Sequence, residues 1–340
     1  MINFLWLVIL LVIIVATSNL FCNALEHLGE ELKISDGVTG SIFAAVGTAL
    51  PETMIPILAL FTNNHGNHNQ DIGAGAILGA PFMLSTLSLF VMALFTIKKR
   101  GINGKLTPHF NGIKRDLKFF IFCYTLSFLS IFLQNNKYSY LLNILISSAL
   151  GFSYFIYLLI TIKESKLLTS QGQTTTASDP LIIAKLLKLK KYPILIIIQL
   201  LIAIILLLVA SDFFIAFVNK VSDLYRVSSF LIALIIIPIA TEMPEKINSI
   251  LWLNNNKDTL AIGNITGAMV FQGSLLPIVG ILFCDSWNLK SMLPLFGIIT
   301  TLLASIWFYI NVSRNNIRIW HFLINGILYI ISITFAIILN

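Results

Sequence analysis

Gly47-Thr48-Ala49-Leu50-Pro51-Glu52 lies inside one long apolar stretch, and Ala240-Thr241-Glu242-Met243-Pro244-Glu245 lies inside another. Each sets a carboxylate directly after a proline where the surrounding sequence is otherwise built for lipid. Proline carries no amide hydrogen, so Pro51 removes the donor for the Gly47 carbonyl, Pro244 for Ala240 and Pro56 for Glu52. A charged side chain at the bilayer centre costs roughly 2.5–3.5 kcal/mol or more, and such residues face an interior path with a partner. Thr48 and Thr241 stand one helical turn before their glutamates, on the same face. The two hexapeptides read as halves of one divided cation site.

The solvent is set by composition. Hydrophobic residues make up 57% of the 340 and charged residues 11%, with a mean hydropathy of +0.90; a soluble chain carries about 25% charged residues. Ile194 to Val209, broken only by Gln199, and Phe119 to Leu133 are nearly continuous apolar runs. Spans of about 20 residues are expected near 2–22, 38–61, 71–95, 117–134, 138–161, 193–218, 228–253, 258–283, 291–311 and 318–339. Backbone satisfaction in lipid leaves helices or a closed barrel, and runs this long exclude the barrel. The fold class is an all-α polytopic membrane protein of about ten transmembrane helices. The first run lacks the basic leader of a secretory signal and is expected to be retained as a span.

The net charge of +7 is a matter of topology, not of nucleic-acid binding. Loops after odd-numbered spans hold seventeen Lys and Arg residues, among them Lys98, Lys99, Arg100, Lys185 and Lys188. The other side holds Lys137, Lys220, Arg226 and Lys290, and Lys246 is inside a span. The positive-inside rule then places both termini outside and the central loop in the cytoplasm, with anionic lipid as a contact for the basic excess. That loop, 163–192, has the polar centre of a flexible linker. It divides a five-helix first half (1–162) from a five-helix second half (193–340). An odd number of spans per half inverts the second half, and the site of such inverted repeats lies at mid-membrane.

The repeat is visible in the residues. An offset of 193 aligns Pro51-Glu52 with Pro244-Glu245, Thr48 with Thr241, and Ser18-Asn19 with Ser211-Asp212. An offset of 188 aligns Gly73-Ala74-Gly75-Ala76-Ile77-Leu78-Gly79-Ala80 with Ala261-Ile262-Gly263-Asn264-Ile265-Thr266-Gly267-Ala268. The paired Gly-x-x-x-Gly elements allow close helix packing, which also brings the two Pro-Glu helices toward a common centre.

With both motifs in inverted halves, segments 42–95 and 235–283 resemble the two alpha-repeats of the cation/calcium exchanger superfamily, whose best-known members are sodium/calcium exchangers. The resemblance implies a secondary cation antiporter working by alternating access, with the first and sixth helices sliding over a more rigid core. Glu52 and Glu245 are its implied central ligands. The family pattern, Gly-Thr-Ser-Leu-Pro-Glu followed by Gly-Asn-x-x-Gly-Ser-Asn, is incomplete in this chain. The Ser after Thr is Ala49 and Glu242, the first Gly-Asn is Gly75-Ala76, and the next Ser becomes Ala80 and Ala268. The ligand four residues further on becomes Leu84 and Gln272. Asn264 survives. The fold and transport class carry over, whereas ion selectivity and the number of sodium sites do not.

The remaining chemistry defines the expected metal set: Glu52, Glu245, Thr48, Thr241, Glu242, Asn264, Gln272 and the carbonyls of Gly47 and Ala240. Two carboxylates about 6 Å apart repel by about 3 kcal/mol at an effective dielectric near 20, and a divalent cation or protons relieve that repulsion. Hard cations take oxygen ligands. Glu242 and Lys246 are in the favourable Glu-to-Lys order one turn apart. They read either as a buried ion pair that fixes a helix, or as an extra acid with Lys246 in the place of a monovalent ion. Asp212 is an accessory candidate for proton handling. His65 and His68 belong to a solvated connection, and Asp71 and Asp258 to helix starts. No cofactor is expected. The cargo is Ca²⁺ or another divalent cation against Na⁺ and/or H⁺, and the partners are inorganic cations and the lipid bilayer. Phosphate-loop and zinc-protease motifs are absent from the sequence, which argues against an enzyme. A passive channel and a non-transporting scaffold are the alternative functions.

Overall fold

Backbone groups in lipid must be satisfied within the segment, and where the expected spans are described they are helical apart from Ser228, Glu242 and Arg318. The computed structural model describes residues 2–31, 50–61, 67–133, 139–169, 179–188, 193–225, 228–254, 256, 258–287 and 292–339. In chain order the elements are α1 (Ile2–Glu31), α2 (Leu50–Phe61), α3 (Asn67–Met83), a π-helical turn (Leu84–Ser88), α4 (Leu89–Arg100), β1 (Lys105–Leu106), α5 (Phe110–Leu133), α6 (Ser139–Thr169), α7 (Ile182–Leu186), α8 (Pro193–Tyr225), α9 (Ser229–Thr241), α10 (Met243–Asn254), α11 (Asp258–Phe283), α12 (Met292–Ser313), β2 (Ile317–Arg318) and α13 (Ile319–Leu339). Among the described residues, 6 helical stretches are long and apolar enough to cross a membrane, and shorter apolar ones accompany them. The protein is an all-α polytopic membrane protein of two inverted five-helix repeats.

Some helices overrun their expected limits. α1 continues past 22 to Glu31, α6 runs into the expected linker as far as Thr169, and α8 extends to Tyr225. The polar centre of the linker, 170–178, lies outside the described residues.

The first helices of the two halves, α1 and α8, pack along each other. Leu7, Leu10 and Ile14 meet Leu207, Ala210, Phe214 and Val218 in one apolar cluster that also takes Ile55 and Ala59 of α2. α3 packs on α9, and α11 on α5 and α6. The glycines explain how closely α3 approaches α9. A Cβ on Gly75 would sit 2.5 Å from the Phe230 carbonyl oxygen, and one on Gly79 2.5 Å from that of Leu234. Only a side chain of one hydrogen lets these backbones touch. Their repeat partners are looser: among the described residues nothing lies within 4 Å of a Cβ at Gly263.

Contacts between loops tie the halves together at both ends. β1 pairs antiparallel with β2, Lys105 opposite Arg318 and Leu106 opposite Ile317. This puts the connections after the third and ninth spans on one side. On the same side Arg100 reaches Asp258 through two nitrogens, at 2.7 and 3.0 Å, and donates to the Leu253 carbonyl at 2.6 Å. Asp258 lies in the first turn of α11 as expected and also accepts from the Thr107 amide at 2.8 Å. At the other end Asp71 accepts from the Ser286 hydroxyl at 2.7 Å. Cys123 and Cys284 are buried free thiols.

Candidate cation site

The helix that carries the second hexapeptide is broken where the prolines require it. α9 ends at Thr241, α10 begins at Met243, and Glu242 alone falls between them. Pro238 and Pro244 withhold the hydrogens that would reach the carbonyls of Leu234 and Ala240. The chain recovers around them, with the Glu242 amide on the Pro238 carbonyl at 3.2 Å and the Lys246 amide on the Glu242 carbonyl at 3.1 Å.

Glu242 is fully buried and Lys246 only 3% exposed. The ammonium lies 3.3 Å from Glu242 Oε2, and the Ser88 hydroxyl donates to the same oxygen at 3.5 Å. Ser88 closes the π-helical turn after α3. Such a bulge inserts one residue per turn and rotates the next stretch of helix about its axis. The turn is supported from α13, where the Asn325 amide donates to the Ser85 carbonyl at 2.6 Å. Ser249, three residues beyond Lys246 on the same face, is buried and accepts from the Asn264 amide of α11 at 3.2 Å. The Thr241 hydroxyl donates to its own helix, to the Ile237 carbonyl at 3.0 Å, which leaves its oxygen lone pairs available as acceptors.

Glu52 sits in the first turn of α2 and is 2% exposed. Gln272 of α11 is fully buried, and among the described residues neither its amide oxygen nor its amide nitrogen has a hydrogen-bond partner. An unsatisfied buried polar group costs about 1–3 kcal/mol. A chain keeps such a group where something else satisfies it.

Of the expected ligands, Glu242, Asn264, Glu52, Gln272 and Thr241 are therefore buried or half-buried, as is Lys246, expected only as an accessory group. Glu245 and Ala240 lie in α10 and α9, but their side chains, like Gly47, Thr48 and His65, lie outside the described residues. Asp212 takes a different place: it is exposed on α8, as its repeat partner Asn19 is on α1, and it does not join the buried group. Ser88 and Ser249 were not legible as site residues. Ser88 depends on the π-helical turn, which no local spacing announces. Ser249 lies one turn beyond Lys246 and only its face gives it away. Among the described residues no three His, Cys, Asp or Glu side chains come together. Carboxylate, amide and hydroxyl oxygens are donors suited to a hard cation and not to a soft metal.

A family model for the sodium/calcium exchanger protein matches residues 2–163 and 195–338. Curated proteins offer no sequence match. Among solved structures the fold is similar to an H⁺/Ca²⁺ exchanger CAX, with a TM-score of 0.72 at 17% identity over 99% of this chain and 86% of that one. It is also similar to native YfkE, with a TM-score of 0.72 at 15% identity over 98% and 92%. For the sodium-calcium exchanger NCX_Mj the TM-score is 0.59 at 19% identity over 98% and 97%. At such identities the likeness is one of fold.

Proposed function

The chain belongs to the sodium/calcium exchanger protein family, a family of membrane transporters, and from that premise we propose that it is a secondary antiporter of a divalent cation such as Ca²⁺ against Na⁺ and/or H⁺. The observation that carries this reading is the fully buried Glu242 at the break between α9 and α10, beside a family motif that ends in Glu245. Glu52, Glu242, Glu245 and Gln272 supply oxygens to the cation, with Thr48, Thr241, Asn264 and the carbonyls of Gly47 and Ala240 around them. Alternating access moves α1 and α8 over the rest of the bundle. By the positive-inside rule both termini face outward and the central linker is cytoplasmic, in a plasma or inner membrane.

Coupling follows from the donors this chain has replaced. Sodium needs several oxygen ligands, and Ala49, Ala80, Leu84 and Ala268 carry no side-chain oxygen. Glu242 and Glu245, three residues apart, can share a proton because doing so relieves like-charge repulsion. Transport is therefore driven at least partly by H⁺, or couples few Na⁺ per divalent cation.

The test is divalent-cation uptake into proteoliposomes under an imposed pH gradient and, separately, an imposed Na⁺ gradient. Uptake against the cation's own gradient supports antiport, with the pH-driven arm the stronger. Flux that only runs down the cation's gradient would make the protein a channel. Silence in both arms would leave a scaffold.

A further inference from the structure

Gln199 is the single polar interruption of the apolar run Ile194–Val209, and it is fully buried. Both ends of its amide are used. Its oxygen accepts from the Ile183 amide at 2.9 Å, and its nitrogen donates to the Leu20 carbonyl and to Asn23 Oδ1, each at 2.9 Å. Asn23 also accepts from the Ile182 amide at 3.0 Å and donates to the Pro180 carbonyl at 3.4 Å. His27 Nε2 lies 3.0 Å from the Asp179 carbonyl. Residues 179–183 of the central linker are thus fastened to α1 and α8 at once. Beneath them Leu181 and Ala184 complete an apolar cluster with Ala24, Leu195 and Ile196.

The opposite face of this segment has another character. Leu186 is 79% and Leu187 56% exposed, and Ile182 is exposed beside them. Lys185 and Lys188 are exposed among these apolar side chains. On the first turns of α8, a helix long and apolar enough to cross a membrane, Ile194, Ile197, Ile198 and Leu201 are exposed as well. Apolar side chains interleaved with lysines at the end of a span fit the boundary where acyl chains meet anionic headgroups.

We propose that Asp179–Lys188 is a lipid-responsive clasp on the α1–α8 pair. Lys185 and Lys188 bind anionic phospholipid headgroups, and Ile182, Leu186 and Leu187 enter the same leaflet. The Gln199 and Asn23 hydrogen bonds then hold the common end of α1 and α8 to that leaflet. Because these are the first helices of the two halves and pack along each other, anchoring their shared end makes their position depend on lipid charge. The inference rests on the chain being an integral membrane protein, not on which ions it carries.

The experiment places a nitroxide at Leu187→Cys in a Cys22→Ala background and reads label depth from its relative accessibility to oxygen and to a water-soluble nickel complex. In vesicles of about one-third phosphatidylglycerol in phosphatidylcholine the label should be deep, and in phosphatidylcholine alone it should be shallow. Lys185→Gln and Lys188→Gln should each raise the phosphatidylglycerol needed for insertion, by roughly five-fold in apparent affinity per charge. Gln199→Leu, which keeps size and apolarity, should increase label mobility even in phosphatidylglycerol. Equal depth in both lipids, or unchanged behaviour of the lysine variants, would overturn the lipid reading. Unchanged mobility in Gln199→Leu would overturn the clasp. Label depth is read without cation flux, so failure here is distinct from failure of the antiport reading.

Discussion

The Lys246 ammonium, in the first turn of α10, lies 3.3 Å from Oε2 of Glu242 at the break between α9 and α10, and both groups are buried. A buried pair is held by mutual attraction against a desolvation cost of similar size, so removing one partner costs more than the pair is worth. Lys246→Met should destabilise the protein by about 3–5 kcal/mol, and the double variant Glu242→Gln with Lys246→Met should recover most of it. Thermal unfolding in detergent reads both. If the pair is only structural, the double variant should transport normally. If Lys246 stands in for a monovalent ion, the double variant should change the charge moved per divalent cation.

Glu52→Gln and Glu245→Gln should each abolish or severely weaken divalent-cation transport while the protein still inserts. With the two acids sharing the proposed site, each change removes a like-charge repulsion, and thermal stability without cation should then stay equal or rise. Wild-type uptake rates in both variants would remove these two acids from the site.

Gln272 should show a trade-off between stability and function. Its amide is buried without a hydrogen-bond partner among the described residues, so Gln272→Leu removes an unsatisfied group at nearly constant volume. The variant should be equal to or more stable than the parent by about 1 kcal/mol, yet bind the transported cation more weakly. A stability loss with intact cation affinity would mean the amide is satisfied by something other than cargo.

Arg100 and Asp258 fasten the connection after the third span to the start of α11, with side chains 13% and 6% exposed. Arg100→Ala should cost about 3–5 kcal/mol by leaving Asp258 buried without its cation. Arg100→Lys should recover only part of this, because an ammonium cannot reach both carboxylate oxygens and the Leu253 carbonyl in one plane. Thermal unfolding of the three proteins gives the ranking.

Much of the architecture was legible because lipid removes most backbone alternatives. Continuous apolar runs had to be helices, an odd number in each half had to invert the second, and Pro244 had to leave the Ala240 carbonyl without its helical donor. The exposed position of Asp212 was not legible. Alignment with Asn19 shows only that two residues correspond, and it is the packing of α1 along α8 that turns both outward.

Sequence by itself determined the local features: the broken helix, the acid beside it, and Lys246 one turn from Glu242, since all depend on covalent geometry and helical periodicity. Only the tertiary structure decided which groups meet across distance. Gly75 and Gly263 occupy equivalent motif positions, yet Gly75 abuts the Phe230 carbonyl while the described surroundings of Gly263 are open. Ser88 reaches Glu242 from a π-helical turn whose Ser85 carbonyl is held by Asn325 from the far end of the chain. Gln199 interrupts an apolar run for a reason that lies in Asn23 and Ile183, one on another helix and one in the linker. A residue's type fixes how many hydrogen bonds it must make, and the packing of helices remote in sequence fixes with whom.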